Sequence, residues 1–191
     1  MSGPGQRPSR ARGLVVPPDA LGELPYRVVF VCTGNICRSP MAEVVTRSLA
    51  ASAELADGST LADHLVVTSA GTGPWHEGEP MHPLALASLV RAGYPDHPHV
   101  AHQVVARDLG GIDLVIALDR RHQQTLRGLG ADPGRLTLLR AFDPAAAAAA
   151  DVPDPYYGDD AVFDDCRDMI AAGCTGLVSS LASHWDTLWA A

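Results

Sequence analysis

The sequence contains no lysine, few cysteines and few aromatic residues, and each scarcity narrows what the chain can be. All 14 basic residues are arginine against 22 acidic residues, and the net charge of −8 argues against general binding to nucleic acid. Four cysteines in 191 residues are too few for a disulfide scaffold, so we expect free thiols and a cytoplasmic protein. No apolar run approaches the roughly 20 residues of a membrane helix, which predicts no membrane partner.

The first 24 residues differ in composition from the rest of the chain. They contain three arginines and much proline and glycine, without the apolar segment of about 7–15 residues that a secretory signal needs. We interpret residues 1–24 as a flexible tail, with contact to a partner as the alternative, and residues 25–191 as one domain.

Short apolar runs alternate with helix-like segments along this domain. The predicted strands are 28–32, 65–69, 114–118 and 136–139, and the predicted helices are 40–55, 83–92, 121–129 and 161–188. Such alternation predicts βαβ units and a parallel sheet. The alanine run 145–150 is bounded by prolines and is interpreted as an exposed loop. The predicted fold class is α/β, with a central, twisted, four-stranded parallel sheet flanked by helices.

The segment between the first strand and the first helix is the most informative stretch. It runs from Val31 to Pro40 with the sequence VCTGNICRSP. A loop at a helix N-terminus points backbone N–H groups inward and binds anions, and the same positive field stabilises a thiolate at Cys32. Arg38 returns six residues later to the mouth of the loop, where its planar fork matches two phosphoryl oxygens. In open α/β sheets ligands bind at this end of the strands.

The residues around Cys32 suit an anion-binding loop. Gly34 permits close approach of the backbone, and Asn35 tolerates the left-handed conformation that a tight loop needs. The Ser39 hydroxyl can donate to the thiolate and can also cap the helix, with Pro40 at the first helical position. One alternative is a buried cysteine beside an ion-paired arginine. A nucleotide-binding P-loop is excluded, because Gly-Lys-[Ser/Thr] is missing.

The segment from Val31 to Pro40 resembles the signature of the low-molecular-weight protein tyrosine phosphatases. Further motifs resemble that family in the same order, namely Thr68–Thr72, Trp75–Gly78, His99–Ala101, Leu118–Asp119 and Asp154–Gly158. The resemblance implies a single-domain, three-layer fold of the phosphotyrosine protein phosphatase I type. It also implies hydrolysis of phosphotyrosine in proteins, and of small aryl phosphates in vitro, with no cofactor and no metal.

The resemblance assigns the catalytic roles. Cys32 is the nucleophile, and Arg38 clamps the phosphate. Asp154 is the general acid that protonates the departing tyrosyl oxygen and the base that then activates water. Without the resemblance, Asp154 between two prolines is an ordinary turn signal.

The resemblance also assigns the surroundings of these three residues. The phosphate-binding residues are Thr33, Gly34, Asn35, Ile36, Cys37 and Ser39. The residues that support the loop are Ser69, His99 and Asp119. The aromatic walls of the substrate cleft are Trp75, Tyr156 and Tyr157, although packing in the core is the alternative for the tryptophan.

The remaining cysteines and the histidines have simpler interpretations. Cys37 is expected to guard the nucleophile through a reversible disulfide with Cys32. Cys166 and Cys174 lie about 12 Å apart along a predicted helix, too far to bridge, and are interpreted as packing residues. The histidines show no metal-binding spacing, which agrees with a reaction that needs no metal.

Three other functions fit the same fold. An arsenate reductase needs further cysteines near the cleft, and none lies between Cys37 and Cys166. A protein arginine phosphatase typically has threonine at the position of Ile36, where isoleucine resembles the tyrosine phosphatases. A non-enzymatic phosphate reader predicts loss of the nucleophile or the acid, yet Cys32 and Asp154 are both present.

Overall fold

The computed structural model describes residues 25–147 and 150–189, so the tail predicted for residues 1–24 lies outside the described residues. Four strands form one parallel sheet in the order β2-β1-β3-β4: β1 (Tyr26–Cys32), β2 (Leu65–Gly71), β3 (Leu114–Ala117) and β4 (Leu136–Leu138). The helices within those ranges are α1 (Arg38–Ala51), α2 (Pro83–Arg91), α3 (Ala106–Leu109), α4 (Arg120–Gly128) and α5 (Asp160–Trp189). Short 3₁₀ helices span Leu61–His64 and Leu139–Phe142. The predicted α/β fold with four parallel strands is confirmed.

Alternate residues of β1 point into two separate cores, as the pleat of a strand covered on both faces requires. Val28 and Phe30 join the larger core beneath α1, α2 and α5. Val29 and Val31 join the smaller core on the opposite face, which α3 and α4 cover. The molecule therefore has three layers, with the sheet between two layers of helices.

The carboxyl end of β1 is the switch point of the sheet. β1 pairs with β2 on one side and with β3 on the other, so the connections that leave β1 and β3 diverge and open a crevice. The loop 33–37 starts at this end of the sheet, and Asp119 follows β3 at the same edge. Gly71 lets β2 approach the loop closely, because a Cβ there would lie 2.8 Å from the Thr33 carbonyl oxygen.

The largest correction to the predicted elements concerns the first helix. α1 begins at Arg38, so Ser39 lies inside the first turn and Pro40 is the third helical residue. The prediction that Ser39 caps the helix is therefore wrong. The Ser39 hydroxyl donates instead to the Ala70 carbonyl oxygen at 3.2 Å. α3 and both 3₁₀ helices were not predicted, because four residues are too few to show helical periodicity. In the alanine run, residues 145–147 and 150 form no helix.

We expect Gly176→Ala to destabilise the fold. Gly176 of α5 packs against the 3₁₀ helix Leu139–Phe142, and a Cβ at this position would overlap the Phe142 carbonyl oxygen. Because backbone cannot yield as a side chain can, the free energy of unfolding should fall by about 2 kcal/mol, measured by urea denaturation.

Gly128→Ala is the matched control for this change. A Cβ at the end of α4 meets nothing within 4 Å, so its free energy of unfolding should stay within about 0.5 kcal/mol of the parent value. Equal stability of the two variants would contradict the close packing of α5.

Candidate active site

The loop between β1 and α1 presents a row of unpaired backbone donors. In the part of the chain that the structure describes, the N–H groups of residues 33–37 donate to no protein acceptor. They stand at the N-terminus of the 14-residue helix α1, whose dipole adds positive potential. The loop is therefore built to hold an anion beside the buried Cys32 thiol.

Asn35 fixes the shape of this loop. It is buried and left-handed, with φ of 57°. Its amide nitrogen donates to Ser39 Oγ at 3.0 Å and to Ser69 Oγ at 2.9 Å, and its Oδ1 accepts from the His102 backbone N–H at 3.0 Å. Its carbonyl oxygen accepts from His99 Nε2 at 2.6 Å. These bonds fill both donor positions of the side chain and hold a conformation that costs a non-glycine residue about 1–2 kcal/mol.

The network around Asn35 ends at a buried carboxylate that the sequence did not single out. Glu43 accepts from Ser69 Oγ at 2.7 Å and pairs with Arg47, one helical turn later, at 2.8 Å. Because Ser69 gives its hydrogen to Glu43, its oxygen is free to accept from Asn35. The Glu-x3-Arg spacing was visible in the sequence, but it is also typical of exposed helix faces.

The Cys32 sulfur lies 3.0 Å from Ser39 Oγ. The single hydrogen of Ser39 has two acceptors within reach, the Ala70 carbonyl oxygen and the sulfur. An ionised sulfur is the stronger acceptor, so the hydroxyl turns to Cys32 when the thiol loses its proton. Ser39 therefore lies where it can donate to the sulfur, and its role in stabilising the thiolate stays a prediction.

Arg38 connects the loop to two carboxylates. Its side chain is 3% exposed. NH1 donates to Asp119 Oδ2 at 3.0 Å and to the Val152 carbonyl oxygen at 3.1 Å, and NH2 donates to Asp154 Oδ2 at 2.7 Å and to Thr33 Oγ1 at 3.2 Å. Its Nε donates to no acceptor among the described residues. The Arg38 guanidinium thus contacts both Asp119 and Asp154, to which the resemblance assigned the roles of support and acid.

His122 is another polar residue at the site that the sequence did not single out. Its side chain is 4% exposed, and its Nε2 lies 2.9 Å from Thr33 Oγ1. Asp119 caps α4 by accepting from the His122 backbone N–H at 2.8 Å, and its Oδ1 also lies 3.0 Å from the ring Nδ1 without hydrogen-bond geometry. Burial is the main reason that the pKa of His122 is lowered to about 4. The charge of Asp119 raises this pKa and the charge of Arg38 lowers it, and the ring is neutral near pH 7.

A cleft of about 270 Å³ opens above the loop and is lined by all three predicted aromatic residues. Trp75 is 69% exposed and Tyr157 is 97% exposed, so both stand at the rim, and packing in the core is the wrong interpretation of Trp75. Tyr156 packs edge-on against Tyr157, with ring centroids 4.9 Å apart. His76, which was not predicted, lines the same cleft, and a Cβ on Gly34 would lie 2.6 Å from its ring. The glycine is therefore needed to make room for a side chain.

The four cysteines are all free thiols, and all are buried. Cys37 lines the cleft together with Cys32, and burial raises its pKa, so it stays a thiol near neutral pH. Its role as a redox guard stays a prediction. Burial also raises the pKa of Cys166 and of Cys174 to about 12, in agreement with the packing interpretation of both.

The positive charge at the site comes from Arg38 and from the backbone donors of the loop. Within the described ranges, no group of three or more His, Cys, Asp or Glu side chains is arranged to hold a metal ion. A buried thiol, an arginine fork, free N–H groups and a carboxyl group share one cleft. This arrangement suits nucleophilic attack on a phosphoryl centre.

Comparisons with known proteins point to one family of enzymes. Residues 27–186 match the family described as low molecular weight phosphotyrosine protein phosphatase. A low molecular weight protein-tyrosine-phosphatase of Streptomyces coelicolor is 47% identical over 161 residues, which cover 82% of this chain and 93% of that protein. The crystal structure of YfkJ from Bacillus subtilis matches with a TM-score of 0.73 at 36% identity, covering 85% of this chain and 97% of that one. YwlE of Bacillus subtilis also has a similar structure. The structure of the YwlE arginine phosphatase matches with a TM-score of 0.67 at 26% identity, covering 81% of this chain and 95% of that one.

We expect anion binding to depend separately on the backbone conformation of Asn35 and on its side-chain hydrogen bonds. Asn35→Gly removes the hydrogen bonds but keeps the left-handed conformation accessible, whereas Asn35→Ala removes the bonds and adds the left-handed strain. Calorimetric titration with inorganic phosphate should show weaker binding to the glycine variant and a further loss of about fivefold or more in the alanine variant. Equal affinities of the two variants would contradict a loop whose shape depends on a left-handed residue.

Proposed function

The chain belongs to the low molecular weight phosphotyrosine protein phosphatase family, and we propose that it hydrolyses phosphotyrosine in proteins through a cysteinyl-phosphate intermediate. Its relatives are protein-tyrosine phosphatases, and the chain is an enzyme of that class. The observation that carries the proposed mechanism is that Cys32, Arg38 and Asp154 line one cleft.

In the first step the Cys32 thiolate attacks phosphorus in line with the bond to the tyrosyl oxygen. The sulfur–phosphorus bond forms as the phosphorus–oxygen bond breaks, and Asp154 donates its proton to the departing phenol oxygen. The free N–H groups of residues 33–37 and the guanidinium of Arg38 take the charge of the equatorial oxygens. The products of this step are the free tyrosine side chain and the cysteinyl phosphate.

The contact between Arg38 and Asp154 couples substrate binding to the acid. NH2 of Arg38 lies 2.7 Å from Asp154 Oδ2. A phosphoryl dianion in the loop offers the guanidinium two oxygens in place of this carboxylate, which suits its planar fork. When Arg38 turns to the phosphate, it releases the Asp154 carboxyl group, which is then free to act as the acid of the first step.

In the second step water attacks the phosphorus of the cysteinyl phosphate. Asp154, now ionised, accepts a proton from the water, and the sulfur–phosphorus bond breaks to release inorganic phosphate and the Cys32 thiolate. The Asp154 side chain is 49% exposed, so water in the cleft reaches it directly. The same carboxyl group therefore serves as acid and then as base.

The rim of the cleft favours an aryl phosphate. Trp75, Tyr156 and Tyr157 stand around the opening, while the thiol lies below among the loop residues. A phenyl ring spans this depth and contacts the aromatic walls, whereas the shorter phosphoserine side chain leaves its phosphorus short of the sulfur. Small aryl phosphates are accordingly the proposed substrates in vitro.

Hydrolysis of phosphoarginine is the second candidate function, because the YwlE arginine phosphatase shares the fold. Ile36 argues against it. Ile36 lines the cleft, and its carbonyl oxygen accepts from the His82 backbone N–H at 2.8 Å, which holds the backbone at this position. A branched apolar side chain offers no acceptor to a guanidinium and contacts a phenyl ring well.

The proposed partners are proteins that carry phosphotyrosine, and the proposed location is the cytoplasm. No helix in residues 25–147 or 150–189 is both long and apolar enough to cross a membrane. The proposed catalytic domain is residues 25–191.

We expect Asp154→Asn to slow the first step in proportion to how badly the leaving group needs a proton. The kcat/KM for phenyl phosphate or a phosphotyrosine peptide, which reports on the first step alone, should fall about 100-fold or more, and the loss should be much smaller for p-nitrophenyl phosphate, whose anion leaves readily. Rates are measured with the purified protein, and Cys32→Ser sets the inactive background.

The matched control for the acid is Asp165→Asn. Asp165 is an exposed carboxylate on α5 without a partner among the described residues, so both substrates should be turned over at the parental rate. Equal slowing of both substrates by Asp154→Asn would contradict the role of Asp154 as the general acid.

We expect a phosphotyrosine peptide to have a kcat/KM at least about 100-fold above that of a phosphoarginine peptide of the same sequence. Ile36→Thr should move this ratio toward phosphoarginine by about tenfold, because the hydroxyl accepts from a guanidinium, whereas Ile36→Val should leave the ratio unchanged. A parental enzyme that prefers phosphoarginine would reverse the order of the two functions.

A further inference from the structure

We propose that His122 is a positioning residue for the phosphate clamp, since it holds the Thr33 hydroxyl and, through that hydroxyl, the guanidinium of Arg38. The inference rests on the proposed function, in which Arg38 binds the phosphoryl group.

The direction of the hydrogen bonds follows from the donors available. Arg38 has donors only, so its NH2 donates to Thr33 Oγ1 at 3.2 Å, and the Thr33 oxygen is the acceptor. The hydroxyl hydrogen then has one acceptor among the described residues, His122 Nε2 at 2.9 Å. A directed chain therefore runs from Arg38 through Thr33 to His122.

This direction fixes the form of the imidazole ring. To accept from Thr33, the His122 Nε2 must carry no hydrogen, so the neutral ring carries its hydrogen on Nδ1. Nδ1 lies 3.0 Å from Asp119 Oδ1 without hydrogen-bond geometry, so the carboxylate acts on the N–H by charge attraction alone. The opposite tautomer would leave the Thr33 hydrogen without an acceptor and would turn a lone pair toward Asp119.

His122 therefore contacts both Asp119 and Thr33, which in turn accept hydrogen bonds from Arg38. Its backbone N–H binds Asp119 Oδ1 at 2.8 Å, and the other oxygen of that carboxylate takes NH1 of Arg38 at 3.0 Å. Its ring orients the Thr33 hydroxyl group, which accepts from NH2 of Arg38. Because the ring is almost fully buried, water does not replace these bonds when they are lost.

The charges around the ring keep it neutral. Arg38 faces it from the start of α1, Asp119 from the start of α4, and Asp151 and Asp154 from the segment before α5. Burial is the largest influence and lowers the pKa, so the ring stays an acceptor across the neutral pH range. A protonated ring would turn an N–H against the hydrogen of Thr33 and add a second cation beside Arg38.

A double-mutant cycle tests the chain. His122→Leu and Thr33→Val should each lower kcat/KM for p-nitrophenyl phosphate about five- to tenfold and weaken the binding of inorganic phosphate to a similar degree. The double variant should be no more than about twofold worse than either single variant, because both changes break the same chain. Losses that multiply would overturn the proposal.

Conservative variants separate positioning from packing. His122→Gln offers an amide oxygen near the place of Nε2 and should keep most of the activity that His122→Leu loses, and Thr33→Ser should do the same for Thr33. Thr125→Val is the matched control, since Thr125 lies one turn along α4 and its hydroxyl donates to the Arg121 carbonyl oxygen at 3.1 Å. Thermal unfolding checks that each variant is folded, and a folded glutamine variant as weak as the leucine variant would contradict the proposal.

Nitrogen-15 NMR of the histidine rings gives a readout that does not depend on turnover. The resonances of His122 are assigned by their loss in His122→Gln. They should show an unprotonated Nε2 and no titration between about pH 6 and pH 8. A proton on Nε2 would overturn the proposal even in an active enzyme. A parental protein without phosphatase activity would instead refute the proposed function, while the tautomer and the binding of phosphate would still decide the role of His122.

Discussion

The structure depends on one residue that is held in an unfavourable backbone conformation. Asn35 is left-handed, with φ of 57°, and the cost of about 1–2 kcal/mol is offset by several buried hydrogen bonds of roughly 1 kcal/mol each. Its partners come from three separate parts of the fold: Ser39 in α1, Ser69 in β2, and His99 and His102 in the segment before α3. The loop can therefore keep its shape only when the whole domain has assembled. This requirement places the anion site at the switch point, where these segments converge.

A second constraint is the burial of a permanent positive charge. Arg38 cannot be left unpaired in the interior, and two carboxylates of different exposure satisfy it. Asp119 is 16% exposed, caps α4 and lies outside the cleft, so it is the fixed partner. Asp154 is 49% exposed and lies in the cleft, so it is the partner that can be exchanged for a phosphoryl group. The difference in burial gives the two aspartates around the arginine different roles in the proposed mechanism, with Asp119 as the fixed partner and Asp154 as the acid.

The sequence predicted those features that are local in the chain. Alternating apolar runs predicted the parallel sheet, and the spacing of Cys32 and Arg38 predicted the anion loop, because strand, loop and helix follow one another directly. Asp154 required the family resemblance, since an Asp-Pro turn is common and nothing near it indicates that it faces Arg38 across the fold. Glu43 and His122 were missed for the same reason: their roles arise only from burial and from partners distant in sequence.

The error at Ser39 shows how tertiary contacts override a local rule. Ser-Pro before a helical segment is a common capping pattern, and it predicted that the Ser39 hydroxyl would bind the end of its own helix. In the fold, Asn35, Ala70 and Cys32 surround that hydroxyl, and each offers it a stronger or more buried partner than the helix end does. α1 therefore begins one residue before the serine, and its first N–H groups are left for an anion.

The rim of the cleft packs closely on backbone at two glycines, which have no side chain in the way. A Cβ on Gly73 would overlap the Trp75 ring, and a Cβ on Gly34 would collide with His76, so both side chains fold back over bare backbone. His76 packs near Tyr156, with ring centroids 5.9 Å apart, which continues this wall to the other side of the opening. Because Gly34 belongs to the loop itself, the His76 side of the rim lies directly against the loop backbone. In the proposed function, a phenyl ring spans the depth between this rim and the thiol, and a short alkyl phosphate does not.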